Sequence, residues 1–105
     1  MTDTTTRAPL AVTCGDPAGI GLEIFRTAQK EIGTKIPMVL FADQRHLPRD
    51  VPITLFQPNT APPPADHIWL HHIDFAQPAH PGRPDPRNAA GVIAAIEQAV
   101  RLTQA

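Results

Sequence analysis

Apolar and polar positions alternate between short continuous runs and two helix-period stripes along the 105 residues. Leu10 to Cys14 is continuously apolar or small, the signature of a short strand buried on both faces. Ile20, Ile24, Ala28 and Ile32 then recur every four residues, with Phe25 beside them and Glu23, Arg26, Gln29 and Lys30 on the other faces. That spacing predicts a helix, and Gly33 stands where a glycine ends one. Pro37 to Ala42 is a second apolar run, closed by Asp43. Strand, helix and strand within some thirty residues predict a βαβ unit with parallel strands and a right-handed crossover. Beyond it come a turn or short helix at Gln44 to Leu47 and a weaker strand at Ile53 to Phe56. A proline-rich connection spans Asn59 to Asp66. Ile68 to Ile73 forms a fourth strand, whose mixed pattern suits a sheet edge. A last helix carries Ala89, Val92, Ile93, Ile96, Ala99 and Val100 as one stripe, with Asn88 as N-cap and Glu97–Arg101 as a solvent-side pair.

Between the first strand and first helix lies Gly15-Asp16-Pro17-Ala18-Gly19-Ile20-Gly21. Strand, glycine-rich turn and helix bring backbone N–H groups toward an anion or cofactor. The missing Cβ atoms allow close approach or positive φ. Asp16 and Pro17 suit a helix start. The spacing G-x-x-x-G-x-G is neither the dinucleotide fingerprint nor the phosphate loop, since Leu22 and Glu23 stand where the latter needs Lys and Ser/Thr. A tight turn without a ligand satisfies the same residues.

Composition narrows the class. With 42% hydrophobic residues and 9 basic against 10 acidic side chains, the chain reads as one α/β unit of soluble type. The net charge of −1 and the lack of a basic cluster argue against a nucleic-acid surface. No apolar run reaches the roughly 20 residues a bilayer requires. Residues 1–8 are Thr-rich without an apolar core and read as a frayed tail rather than a secretory signal. One cysteine cannot make an internal disulfide, and the cytoplasm is the expected compartment. The 13 prolines gather between Pro48 and Pro64 and between Pro78 and Pro86, marking stiff connections.

Candidate chemistry is sparse. His67, His71 and His72 invite a metal, but neighbours on a strand point to opposite faces and no Cys or acidic cluster completes a set. Cys14 is either a thiol activated by a helix N-terminus or a small residue ending a buried strand. Asp16 either orients a cofactor group or caps the first helix. Glu23 in the first turn complements the helix dipole.

The residues Gly15 to Gly21, followed by Leu22-Glu23-Ile24, resemble the opening of the 4-hydroxythreonine-4-phosphate dehydrogenases of pyridoxal phosphate biosynthesis. A second likeness lies at Gly82, Asn88-Ala89-Ala90 and Ile96 to Val100. The resemblance implies the N-terminal part of an isocitrate/isopropylmalate dehydrogenase-like α/β fold, a partial and mostly parallel sheet with flanking helices over residues 9–105. It implies NAD- or NADP-dependent oxidation and then decarboxylation of a small phosphorylated hydroxy-amino acid, with a divalent metal in the complete enzyme and a homodimer with shared sites. Asp16, Gly19, Ile20 and Gly21 are expected on the cofactor side of the cleft. No catalytic residue and no metal ligand is expected within the chain, since the family's metal-binding histidines lie later. The length is about a third of what the family implies, so the unit is expected to be incomplete and inactive alone. Related dehydrogenases acting on four-carbon acid sugar phosphates or aromatic dihydrodiols, and a non-catalytic truncated module, are the alternatives.

Overall fold

The computed structural model describes residues 9–103; the tail expected at residues 1–8 lies outside the described residues. Strands β1 (Leu10–Thr13), β2 (Met38–Ala42), β3 (Ile53–Leu55) and β4 (Ile68–His72) form one sheet in the order β1-β2-β4-β3. All three pairings are parallel, with Ala11 opposite Val39, Leu40 opposite Leu70 and Ile53 opposite Ile68. The predicted βαβ pairing of β1 with β2 is present. The edge placement of β4 is corrected, because β4 lies between β2 and β3 while β3 takes the edge. The reason lies on β4 itself: Ile68, Trp69 and Leu70 are all buried, which suits a strand covered on both faces. The histidines that blurred its pattern fall only at its end.

Helix α1 (Gly21–Ile32) covers one face and helix α2 (Ala89–Thr103) the other. Alternation along the strands divides the core accordingly. Met38, Leu40, Ile68 and Leu70 pack with Phe25 under α1, and Leu47 closes that side. Val39, Phe41, Trp69, Ile73 and Phe75 pack with Ala95 and Ala99 under α2.

Both helices turn differently from expectation. On α1 the buried residues are Phe25 and Gln29, while Ile20 and Ile24 are exposed. Gln29, expected outside, donates through its amide to the carbonyls of Ala65 (2.9 Å) and His67 (2.6 Å). These bonds satisfy the buried amide and fasten α1 to the approach of β4. On α2 the small residues Gly91, Ala95 and Ala99 face the sheet, and Ile93, Ile96 and Val100 stand exposed. The sheet supplies the bulk here. Phe41, Trp69 and Phe75 fill the centre of the interface, where the helix presents glycine and alanine, and Val92 packs at its margin. A Cβ on Gly91 would sit 2.6 and 2.8 Å from atoms of the Phe75 ring.

The expected caps are also reassigned. Asp16 does not cap α1, whose N-cap position is Ile20 and receives no side-chain hydrogen bond. Asn88 does not cap α2; it closes a 3-10 turn (Pro86–Asn88) and accepts through Oδ1 from the Gln77 N–H at 2.8 Å. Asp85 opens that turn by accepting from the Arg87 N–H at 2.9 Å. Gly33 ends α1 as foreseen, but with right-handed backbone (φ −62°) rather than the left-handed form.

Candidate functional site

The turn from Cys14 to Gly21 leaves the carboxyl end of β1 and delivers the chain to α1. Carboxyl ends of parallel strands are where α/β proteins place their ligand crevices. Gly15 adopts φ +69°, the left-handed form glycine accepts without strain. Asp16 then folds the turn on itself: its Oδ1 accepts from the Ala18 N–H at 2.8 Å, and its carbonyl accepts from the Gly19 N–H at 3.0 Å. The Asp16 carboxylate is thereby a turn former.

Gly21 is the tightest point. A Cβ there would collide with the Cys14 carbonyl oxygen and lie 2.9 Å from its carbon. The approach this glycine permits is that of α1 onto the end of β1. Gly19 is unlike it, with the Asp16 carbonyl oxygen at 3.3 Å as the single near neighbour. The four residues expected at a cofactor thus lie together in one turn. Asp16, Gly19 and Ile20 are exposed on its outer rim, and Gly21 is held against the strand.

Beneath the turn is a cavity of about 30 Å³, between Cys14, Leu22, Phe41, His46, Phe75 and Val92. That is room for a water or two and far from the size of a nucleotide. Burial pushes the Cys14 thiol up to about 11. That direction is opposite to activation and suits the reading of Cys14 as a small residue ending a buried strand. The far loop docks on the turn, where the Gly82 N–H (φ +73°) donates to the Ala18 carbonyl at 2.9 Å.

Below the carboxyl end of β2 sits an ion pair that sequence reasoning did not find. The Asp43 side chain is fully buried and pairs with Arg45 at 2.8 Å, whose side chain is half exposed. Asp43 also accepts from the Phe75 N–H at 2.8 Å and the Arg45 N–H at 2.9 Å. Arg45 donates in addition to the Phe75 carbonyl. Burial alone would raise this carboxyl; the Arg45 side chain and the two backbone N–H groups outweigh it and hold it well below the usual carboxylate range. The pair ties the end of β2 to the segment after β4. The visible signal was an Asp-x-Arg spacing directly after an apolar strand.

Four of the five histidines find separate partners. His71 faces α2, stacked on Phe41 with centroids 4.7 Å apart and bonded to Gln98 at 2.8 Å. His72 faces the other way; its Nδ1 accepts from the Gln44 N–H and its Nε2 meets Asp74 at 2.7 Å. His67 meets Thr54 at 3.0 Å, and His46 meets the Gln77 carbonyl at 2.9 Å. Asp43, His72 and Asp74 bring ligand-type atoms within 4.8 Å of one another. Asp43 is committed to Arg45 and Phe75 and the His72 Nδ1 to the Gln44 N–H, which leaves the His72 Nε2 and Asp74, bonded to each other, as the less committed members of this group.

No protein-family profile matches the chain. Individual relatives do. It is 45% identical over 98 residues to the 4-hydroxythreonine-4-phosphate dehydrogenase of Paracoccus denitrificans, covering 90% of this chain and 28% of that protein. It is 40% identical over 99 residues to the enzyme of the same name from Roseobacter denitrificans, covering 92% of this chain and 30% of the relative. The chain is similar to the N-terminal portion of proteins named 4-hydroxythreonine-4-phosphate dehydrogenase. Among solved structures, the 4-hydroxythreonine-4-phosphate dehydrogenase of Klebsiella pneumoniae shares the fold, with a TM-score of 0.77 at 23% identity. That likeness covers 97% of this chain and 34% of the Klebsiella protein. The chain thus spans about 30% of the length of the curated dehydrogenases it matches. Among the described residues, no helix is long and apolar enough to cross a membrane.

Proposed function

We propose that the chain is the N-terminal segment of an NAD(P)-dependent 4-hydroxythreonine-4-phosphate dehydrogenase-like enzyme, cytoplasmic and homodimeric when complete. The observation that carries this is 45% identity, sustained over 90% of the chain, to a protein of that name. The reaction is oxidation of a secondary alcohol in a small phosphorylated hydroxy-amino acid, then loss of CO₂ from the resulting β-keto acid, within pyridoxal phosphate biosynthesis. NAD(P) supplies the hydride acceptor. The complete enzyme's divalent metal is assigned to residues outside this chain, because in the cluster of suitable atoms found among the described residues the Asp43 carboxylate is committed to Arg45.

The chain's own part is positional. Asp16 shapes the turn, and Gly19 and Ile20 present an exposed rim at the carboxyl end of β1. The first turn of α1 has no side-chain cap, leaving its N–H groups to face a cofactor's negative charge. Gly21 lets that helix end reach the strand. No residue here is assigned a proton transfer. The partial coverage of the relatives favours one other reading, a non-catalytic module that keeps the scaffold alone.

The test joins the chain to the remaining portion of the Paracoccus relative and follows NADH at 340 nm with the phosphorylated hydroxythreonine and a divalent metal. Turnover is expected. Ile20→Glu is expected to raise the KM for the cofactor at least tenfold with kcat little changed. Absent turnover refutes the enzyme reading, and unchanged cofactor kinetics remove the turn from the site.

A further inference from the structure

A cleft of about 800 Å³ opens where β4 ends, at His72 and Asp74, and reaches Ile53 at the start of β3. No residue of the glycine turn lines it. Its volume is in the range of small-molecule sites. Leu47, Val51 and Ile53 make its apolar side, continuous with the buried cluster under α1. Its charged groups are Arg45, Arg49 and Asp74, so both signs border one space.

Arg45 is fixed along one edge only. Its Nε and Nη2 donate to the buried Asp43 carboxylate, and Nη2 also to the Phe75 carbonyl. Among the described residues its Nη1 meets no acceptor, although the side chain is 53% exposed. A guanidinium held on one edge loses little freedom when the other edge binds. Asp43 already balances the charge of Arg45, which makes Arg49 the added cation; among the described residues it forms no ion pair. Asp74 is the opposing anion. Its Oδ1 accepts from the His72 Nε2 at 2.7 Å, and the His72 ring is set in turn by the Gln44 N–H on Nδ1. The Asp74 carboxylate thus has a steady position within 4.8 Å of the Asp43 carboxylate that holds Arg45. Asp74 and the two arginines nevertheless do not close on one another as ion pairs.

We propose that this cleft binds a free α-amino acid with a branched apolar side chain. Its carboxylate lies on the Arg45 Nη1 and Arg49, its ammonium on Asp74, and its side chain on Leu47, Val51 and Ile53. A simple anion would be opposed by Asp74, and a simple cation by Arg49; a zwitterion satisfies both. A peptide terminus carries one of these two charges at its α-carbon and leaves the other group unanswered. A phosphorylated side chain would be forced against the apolar side. The site is independent of the dehydrogenase reading and of the glycine turn.

The experiment titrates the full 105-residue chain with L-leucine by calorimetry and by amide NMR shifts. A dissociation constant below about 1 mM is expected, with shifts at Arg45, Arg49 and Asp74. Leucinamide lacks the carboxylate and 4-methylpentanoate lacks the ammonium, and each is expected to bind about tenfold more weakly. O-phospho-L-threonine keeps the zwitterion without the apolar chain and is expected to be weaker still. Asp74→Asn is expected to weaken leucine about tenfold and to leave 4-methylpentanoate no weaker, an altered preference that a merely structural role would not produce. Arg49→Gln is expected to weaken leucine without weakening leucinamide, and Arg101→Gln on α2 to change nothing. All three positions are exposed, and far-UV circular dichroism verifies each fold. Should a variant unfold, the parent's preference among the four ligands decides alone. No binding at 10 mM leucine, roughly ten times the expected constant, overturns the proposal. So does equal binding of leucine and 4-methylpentanoate, or of leucine and phosphothreonine. Shifts confined to residues outside the cleft overturn it as well.

Discussion

Gly21→Ala is the most discriminating single change. At an ordinary helix position, replacing glycine by alanine stabilises by up to ~1 kcal/mol, through helix propensity. Here the added methyl group meets three atoms of the Cys14 backbone: its carbonyl oxygen, its carbon at 2.9 Å and its Cα at 3.0 Å. None of these can rotate away as a side-chain tip would. Either α1 retreats from β1 or the end of the strand moves, and both disturb the cluster of Leu22, Phe25 and Leu40 beneath. Overpacking of this kind costs ~1–3 kcal/mol. Because all three atoms are rigid backbone, the cost falls at the upper end of that range, and with the propensity gain subtracted the expected loss is ~2 kcal/mol, or roughly 8–16 °C in melting temperature for a domain of this size. Gly19→Ala is the control. Its one near neighbour lies at 3.3 Å, so its stability is expected within ~0.5 kcal/mol of the parent. Thermal and urea unfolding are followed by circular dichroism at matched protein concentration. A Gly21→Ala protein as stable as the parent, or no worse than Gly19→Ala, would falsify the close-approach argument.

Three further outcomes follow from the same contacts. Gly91→Ala drives a methyl group into the Phe75 ring and is expected to cost ~1–3 kcal/mol, part of it recovered when Phe75→Leu is added; a double variant no better than the single one counts against this packing. Because the Cys14 thiol is pushed up to about 11, its reaction with a disulfide reagent at pH 8 is expected to be on the order of 100-fold slower in the folded protein than in urea, and equal rates contradict the burial. Asp43 is held below the carboxylate range when folded and returns to roughly 3.9 when unfolded, so its contribution is complete above about pH 5 and falls away as acid protonates the unfolded chain first. Asp43→Asn is expected to cost roughly 1–3 kcal/mol at pH 7 and to flatten the decline between pH 5 and 3, both read from urea titrations; an unaltered pH slope points to other carboxylates.

Local pattern determined a good deal of this protein. Every predicted strand and both helices occur, since continuous apolar runs and four-residue spacing depend on neighbours in sequence. The parallel pairing of β1 and β2 followed from the length of the connection between them. The glycine turn was also visible, and its residues supported the family relationship. What the sequence did not show is which residue of each pattern meets which partner. Whether β4 lies inside or at the edge depends on where β3 comes to rest, a pairing made across a proline-rich connection. The burial of Gln29 depends on the carbonyls of Ala65 and His67, 36 and 38 residues away. Ile93, Ile96 and Val100 of α2 are turned outward because the aromatic residues of the sheet already fill the centre of the interface, opposite Gly91, Ala95 and Ala99. Asp16 and Asn88 have cap chemistry in sequence, yet three-dimensional packing spends them on a turn and on the Gln77 loop. Periodicity selects the elements because it is local. Volume and hydrogen-bond satisfaction between distant segments select the faces, and only the folded chain brings those segments together.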